Sequence, residues 1–261
     1  MSNEKKSKRQ ERREKIKKQE ARSRLVMIGL ITLGAALLVF AFVYPSLRPI
    51  AEVVSIDPGT HPNPDDNSMG DPNAPIVIEE FSDFQCPFCE RFHEQTEPLL
   101  RQYYIDTGQV RFVYRSMGNW VSRNIGGGRT ESQDAALAAY CAGEQNKFWE
   151  MHAFLFANVL GEDVGSYTDK RIMAIAEKVE GLDMAQFQSC YDSGKYEDRV
   201  QQDMTDGLAA NVGGTPAFRM TYTVNGETKT RLIEGAQPFS VFQTEIEAAL
   251  AEMGLQSQSP E

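Results

Sequence analysis

From Leu25 to Tyr44 the chain runs for 20 residues, LVMIGLITLGAALLVFAFVY, without one charged side chain. As a helix rising 1.5 Å per residue, such a stretch spans ~30 Å, the hydrocarbon thickness of a bilayer, so one transmembrane helix is expected over residues 25–44. The pattern then breaks down. Residues 45–75 hold 7 of the 12 prolines, in runs such as Asp57-Pro58-Gly59 and His61-Pro62-Asn63-Pro64. They offer little apolar surface to bury, so residues 45–73 read as a semi-extended Pro-rich linker.

Periodic structure resumes at about Ala74. Ile76–Phe81 is a β-rich run and reads as a buried strand. Pro87 stands where a first helical residue would, and a helix is expected from there to about Tyr104. Phe88, Phe92, Leu99 and Tyr103 would form its apolar stripe, with a kink at Pro98. Val110–Met117 alternates as a second strand, and residues 118–129, with Gly126-Gly127-Gly128, read as a loop. Helical patterns follow over about 131–143, 147–159, 169–180, 183–193 and 196–210. A hairpin over 217–223 and 228–234 is turned by Asn225-Gly226, the favoured type I′ dipeptide, and Pro238 opens a last helix to about Met253. The order β-α-β, a block of helices, then α-β-β-α gives an α/β fold with a helical insertion at about 130–194, since a βαβ unit requires parallel strands. Residues 254–261 read as a disordered tail.

Charge divides the chain in the same place as hydropathy. Residues 1–24 carry 11 Lys/Arg against 4 Asp/Glu, a net +7, which leaves −17 on the remaining 237 residues. A basic block before an apolar helix predicts a cytoplasmic tail over residues 1–24, with everything after Tyr44 outside the cytoplasm. The alternative is a cleaved signal peptide, whose apolar region is normally ~7–15 residues and ends at a small-x-small site. Phe42-Val43-Tyr44-Pro45 fits that poorly, and a retained single-pass anchor in the lipid bilayer is expected. The acidic body argues against nucleic acid as a partner. Four cysteines are too few for a disulfide-dense scaffold.

Two of them form Cys86-Pro87-Phe88-Cys89 at the expected strand-to-helix junction. A cysteine at a helix N-terminus meets free backbone N–H groups and the positive end of the helix dipole, both of which stabilise a thiolate. The second cysteine, three residues on, is within reach to form or resolve a disulfide. This assigns Cys86 as nucleophile and Cys89 as resolving thiol, with Pro87 stiffening the turn. The pair could instead be an inert disulfide, or part of a zinc site with His93 four residues after Cys89. Structural zinc sites are four-coordinate, and no second C-x-x-C or His pair follows at finger spacing, so a surface His93 and no metal are expected.

Phe81-Ser82-Asp83-Phe84-Gln85-Cys86-Pro87-Phe88-Cys89, Lys147-Phe148-Trp149-Glu150-Met151-His152 and Gly213-Gly214-Thr215-Pro216-Ala217-Phe218 together resemble the DsbA-like thiol:disulfide oxidoreductases of the thioredoxin superfamily. The similarity extends from about Gly70 to Met253. It implies a thioredoxin fold with an inserted helical domain over residues 74–253, and dithiol–disulfide exchange with extracytoplasmic proteins without a cofactor.

The resemblance also assigns roles. Thr215-Pro216 would be a cis peptide beside the active dithiol, its backbone pairing with an extended substrate; propensity alone would allow a trans proline opening an edge strand. Glu80 would be a buried acid relaying the proton of Cys89, unless Glu79 and Glu80 are both solvated at a strand end. Asp83 would have a structural part in the turn. Cys141 and Cys190 would form a second disulfide, as in some relatives, or remain separate core thiols. The implied partners are reduced or unfolded extracytoplasmic proteins and a quinone-linked membrane reoxidase of the DsbB or VKOR type. The activity expected is disulfide formation. A reductase, an isomerase or a non-catalytic binding domain of the same fold are the alternatives.

Overall fold

The computed structural model describes residues 2–47, 49–118, 120–121 and 129–258. It separates into two units, residues 1–50 and 51–261. The first is one helix, α1 (Ser2–Leu47), which within Arg12–Ala41 is long and apolar enough to cross a membrane. Leu30, Ile31, Leu37 and Leu38 stand exposed along it, an arrangement water disfavours.

The second unit is built on a five-stranded sheet: β1 (Ser68–Met69), β2 (Ile76–Ser82), β3 (Val110–Ser116), β4 (Ala217–Val224) and β5 (Glu227–Glu234), in the spatial order β1-β3-β2-β4-β5. β2 pairs parallel with β3 and antiparallel with β4, while β1–β3 and β4–β5 are antiparallel. β2 therefore lies at the centre, buried by pairing on both edges. Asn225 and Gly226 both take positive φ, 52° and 80°, as a type I′ turn requires.

Between β2 and β3 the expected single helix is three pieces: α2 (Pro87–Gln95), α3 (Glu97–Leu100) and a π-helical segment, Arg101–Ile105. The break falls at Thr96 rather than at Pro98. Proline is tolerated in a helix's first turn, where its missing N–H has no partner to lose, so the helix restarts just ahead of it. The apolar stripe is also displaced. Phe88, Leu99 and Tyr103 are exposed, and the inward face is Cys89, Phe92, Thr96, Leu100 and Tyr104.

The insertion comprises α4 (Glu131–Gly143), α5 (Phe148–Ala157), α6 (Asp169–Ala176) and α7 (Met184–Asp192), followed by α8 (Glu197–Ala209); α9 (Phe239–Glu252) closes the chain. Thr130 and Gln133 close α4 with a capping box, and the Asp183 carboxylate caps α7. α4 and α5 are apolar on nearly every side, as helices enclosed by others must be. A half-buried ion network ties α8 to the sheet: Arg115 donates to Glu79 Oε1 at 3.0 Å and to Asp203 Oδ1 at 2.9 Å, and Arg219 donates to Glu79 Oε2 at 2.7 Å.

The folded unit begins at Ala51, earlier than the boundary near Ala74 that proline content indicates. Arg171 Nη1 donates to the carbonyl of Ala51 at 2.7 Å, and Asn158 exchanges hydrogen bonds with the backbone of Val54. The ring of His61 stacks on Trp149, whose Nε1–H donates to Ser68 O at 2.9 Å. Buried helix-borne donors thus satisfy a backbone that prolines keep out of regular structure. The described part of the tail also docks, Gln258 exchanging two hydrogen bonds with the Gln109 side chain. The Gly126-Gly127-Gly128 loop lies outside the described residues.

Candidate active site

β2 ends at Ser82 and the turn Ser82–Gln85 delivers the chain into α2. Asp83 is buried in that turn and organises it. Its Oδ1 accepts from the Gln85 N–H at 2.9 Å and from Ser132 Oγ at 2.6 Å, and its Oδ2 accepts from the Val121 N–H at 3.0 Å. The turn is thereby held to α4, so the insertion fixes the position of the residue that follows.

Cys86 is the N-cap of α2, extended at φ −77° and ψ 120°, with Pro87 at N1. No side chain caps this end, so its free N–H groups are directed at the sulfur. Cys86 and Cys89 are free thiols, the first 5% exposed and the second fully buried. The Cys86 S–H donates to the Thr215 carbonyl at 3.4 Å, and the Thr215-Pro216 peptide is cis. Cys89 Sγ accepts from the Asp83 N–H at 3.5 Å.

The two sulfurs are polarised in opposite directions. A hydrogen bond from the Cys89 S–H, with further ones from the N–H groups of Cys89 and Phe88, outweighs burial and lowers Cys86 from 9.0 to about 6. Burial, then the same sulfur contact and the nearby charge of Cys86, raises Cys89 well above the ordinary thiol range. One sulfur is a ready thiolate and the other holds its proton. The Phe88 side chain, between them, is 53% exposed with the Arg91 guanidinium 5.0 Å from its ring centroid, and gives the pair neither charge nor hydrogen bond.

Alternation along β2 separates the two adjacent acids. Glu79 lies on the face that meets Arg115 and Arg219, and these hold its carboxyl below the ordinary range against the cost of burial. Glu80 shares its face with Ile76 and Ile78, is 1% exposed, and is raised by burial to about 8. Ser82, two places after Glu80 on the same face of β2, is fully buried and its hydroxyl has no hydrogen-bond partner among the described residues. Ser82 is a site residue that its motif position did not reveal, because nothing in the sequence says which of the two faces a residue at a strand end will take.

Cys141 and Cys190 are joined by a disulfide between α4 and α7, with their Cα atoms 5.8 Å apart. His93 is not the surface residue that the amphipathic pattern implies. It is half-buried, with its Nδ1 2.6 Å from Glu97 Oε2, because the rings of His152 and Phe156 on α5 cover it. Glu97 is 1% exposed and held down to about 2, chiefly by His93 against the cost of burial.

A family model described as thioredoxin matches residues 62–234, and the chain belongs to that family. Within the family its fold is similar to that of DsbA proteins. Its structure superposes on Wolbachia pipientis alpha-DsbA1 with a TM-score of 0.60 at 20% identity, covering 74% of this chain and 94% of that one. In sequence it is 25% identical over 151 residues to the probable disulfide bond formation protein D of Bacillus anthracis, covering 58% of this chain and 67% of that protein. It is also 32% identical over 166 residues to the Na(+)/H(+) antiporter NhaA 3 of Salinispora tropica, covering 64% of this chain. The chain spans only 22% of that antiporter's length.

Proposed function

We propose that this protein is a thiol:disulfide oxidoreductase, tethered by residues 25–44 with its N-terminus in the cytoplasm, that forms disulfides in proteins outside it. The observation that carries this reading is a pair of vicinal thiols with opposite acidities, the lower one at a helix N-terminus 3.4 Å from the carbonyl that precedes a cis proline.

Exchange runs in two steps. In the oxidised enzyme a substrate thiolate attacks Cys86 Sγ, the Cys86–Cys89 bond breaks, and a mixed disulfide forms with Cys89 as leaving group. Cys89 is basic as a thiolate and takes a proton; Glu80, protonated below about 8, is the buried acid beside it that supplies one. The second substrate thiolate then attacks the substrate sulfur of the mixed disulfide and expels Cys86. Cys86 leaves readily because its thiolate is stable. Thr215, with its backbone beside Cys86, is placed to pair with an extended substrate segment, a contact largely indifferent to side chains. Exposed Leu160 and Val164 lie on the loop held to Gln85 through Gly161, and extend an apolar rim for unfolded substrates.

The tether supports a membrane-bound, quinone-linked reoxidase of the DsbB or VKOR type as electron acceptor, since anchoring raises the effective concentration of such an encounter. The stable Cys86 thiolate favours the reduced form and so an oxidising disulfide, while Phe88 limits how far.

The test is refolding of reduced RNase and reduction of insulin by the full chain in detergent micelles, with Cys86→Ser as control, and glutathione equilibration of the dithiol. The expected potential lies between those of thioredoxin (about −270 mV) and DsbA (about −120 mV). A potential at or below the thioredoxin value, with the pair reduced in cells, makes the protein a reductase. Activity that survives Cys86→Ser removes the exchange mechanism.

A further inference from the structure

The chain has three histidines, on three separate segments, and two of them, His93 and His152, meet at the buried carboxylate of Glu97. His93 lies on α2, His152 on α5 and His61 on the segment that precedes the sheet, while Glu97 opens α3. His93 and Glu97 stand four residues apart across the break at Thr96, so both project from one side of the bend. One ligand-capable atom each from His93, Glu97 and His152 lies within 4.8 Å of the other two.

His152 makes this more than a chance gathering. Its ring is 1% exposed, walled by Phe84, Tyr114, Trp149 and Phe156, and neither nitrogen has a hydrogen-bond partner. A neutral imidazole carries one donor and one acceptor, and leaving such a group unpaired in the interior costs ~1–3 kcal/mol. Packing alone would be served better by a phenylalanine. The polar atoms point to a ligand that prefers imidazole nitrogen.

We propose that His93, Glu97 and His152 form a binding site for one divalent transition-metal ion of the zinc class. Two nitrogens and one carboxylate oxygen suit zinc or cobalt, and disfavour magnesium and calcium, which require oxygen. With metal–ligand distances of ~2.1 Å, tetrahedral ligand atoms stand roughly 3.4 Å apart. The His93–Glu97 contact of 2.6 Å therefore opens by less than an ångström, and the widest separation of 4.8 Å closes by somewhat more. On binding, the ion displaces the hydrogen between His93 and Glu97, and water completes its coordination. His93 and Glu97 belong to the thioredoxin part of the fold and His152 to the inserted helices. The ion would clamp these two layers together one helical turn beyond Cys89, without using either active thiol.

The experiment uses the untagged full chain in detergent micelles, stripped with chelator and held oxidised at Cys86–Cys89 so that these sulfurs cannot bind metal. Cobalt is titrated while its visible d–d absorption and the metal content per chain are followed, and the thermal midpoint is measured with and without zinc. One equivalent of cobalt with a tetrahedral spectrum is expected, together with a zinc-dependent rise in the midpoint. Glu97→Gln and His93→Gln should each weaken binding by about tenfold or more, a loss typical of disrupted metal sites. His93→Gln, at a half-buried position, guards against misfolding, and its Cys86 alkylation rate verifies the fold. No binding by the oxidised protein, or an affinity unchanged in both variants, overturns the site.

Discussion

Replacing Cys89 by Ala removes the largest contribution to the acidity of Cys86. The Cys89 S–H leads the hydrogen bonds that lower it, ahead of the N–H groups of Cys89 and Phe88. A hydrogen bond to a charged group is worth ~1.5–3 kcal/mol, and one pKa unit is ~1.4 kcal/mol, so Cys89→Ala should raise Cys86 by roughly one to two units. Its pKa then moves from about 6 to roughly 7–8. The return to 9.0 is incomplete because the helix N–H groups remain. At pH 7 the thiolate fraction falls from roughly nine-tenths to between about a half and a tenth. Cys89→Ser retains a donor and should stay near the wild type. The assay is the rate of iodoacetamide alkylation of the reduced full chain across the acid-to-alkaline range, resolved by mass. In the wild type, buried Cys89 is too weak an acid to contribute. Because folded Cys86 is more acidic than an unfolded thiol, its stabilisation of the reduced protein is complete above the ordinary thiol pKa and is lost as pH falls through about 6. A Cys89→Ala midpoint within about half a unit of the wild type would refute the sulfur–sulfur hydrogen bond as the cause.

Glu80→Gln should gain about 3 kcal/mol of stability at neutral pH by removing the cost of keeping a buried acid protonated. The wild type, whose Glu80 is raised from 4.5 to about 8, should lose stability as pH rises through that window while the variant does not, as denaturant titrations at several pH values would register. The same variant should lose the pH dependence of mixed-disulfide formation near 8, and an unchanged profile removes the proton relay. Cys141→Ala with Cys190→Ala opens a loop closed over a sequence separation of 49 and should cost about 4 kcal/mol in urea unfolding, with the active dithiol still exchanging. Arg115→Met takes the counter-ion from the buried Asp203 carboxylate, which keeps the Tyr140 hydroxyl and the Ser116 N–H as donors, and a loss of about 1.5–3 kcal/mol in the same assay is expected.

The strands, the insertion helices and the dithiol were legible because each rests on local signals: alternation, capping residues and the Cys86-Pro87 junction. α4 begins and ends where its pattern does, from Glu131 to Gly143. What escaped depends on distant partners. Proline content marks residues 51–73 as linker, and nothing local announces that Arg171 and Asn158, over a hundred positions away, will bind their backbone. His93 reads as a surface residue for the same reason, since the cover over it comes from α5. The shifted inner face of α2 and α3 has a local origin. A stripe drawn through an unbroken helix cannot anticipate that the turn before Pro98 resets the phase.

Glu79 and Glu80 are chemically identical neighbours with opposite fates, one clasped by two guanidiniums and one kept neutral in the interior. What distinguishes them is only whether each occupies an odd or an even place along β2. Deletion of Val77 alone would leave the composition almost untouched. It would turn Glu79 into the core and Glu80 toward the arginines, and would carry Ile78 off the inner face. Length variation should therefore be forbidden inside this strand. There, counting residues matters as much as their kind.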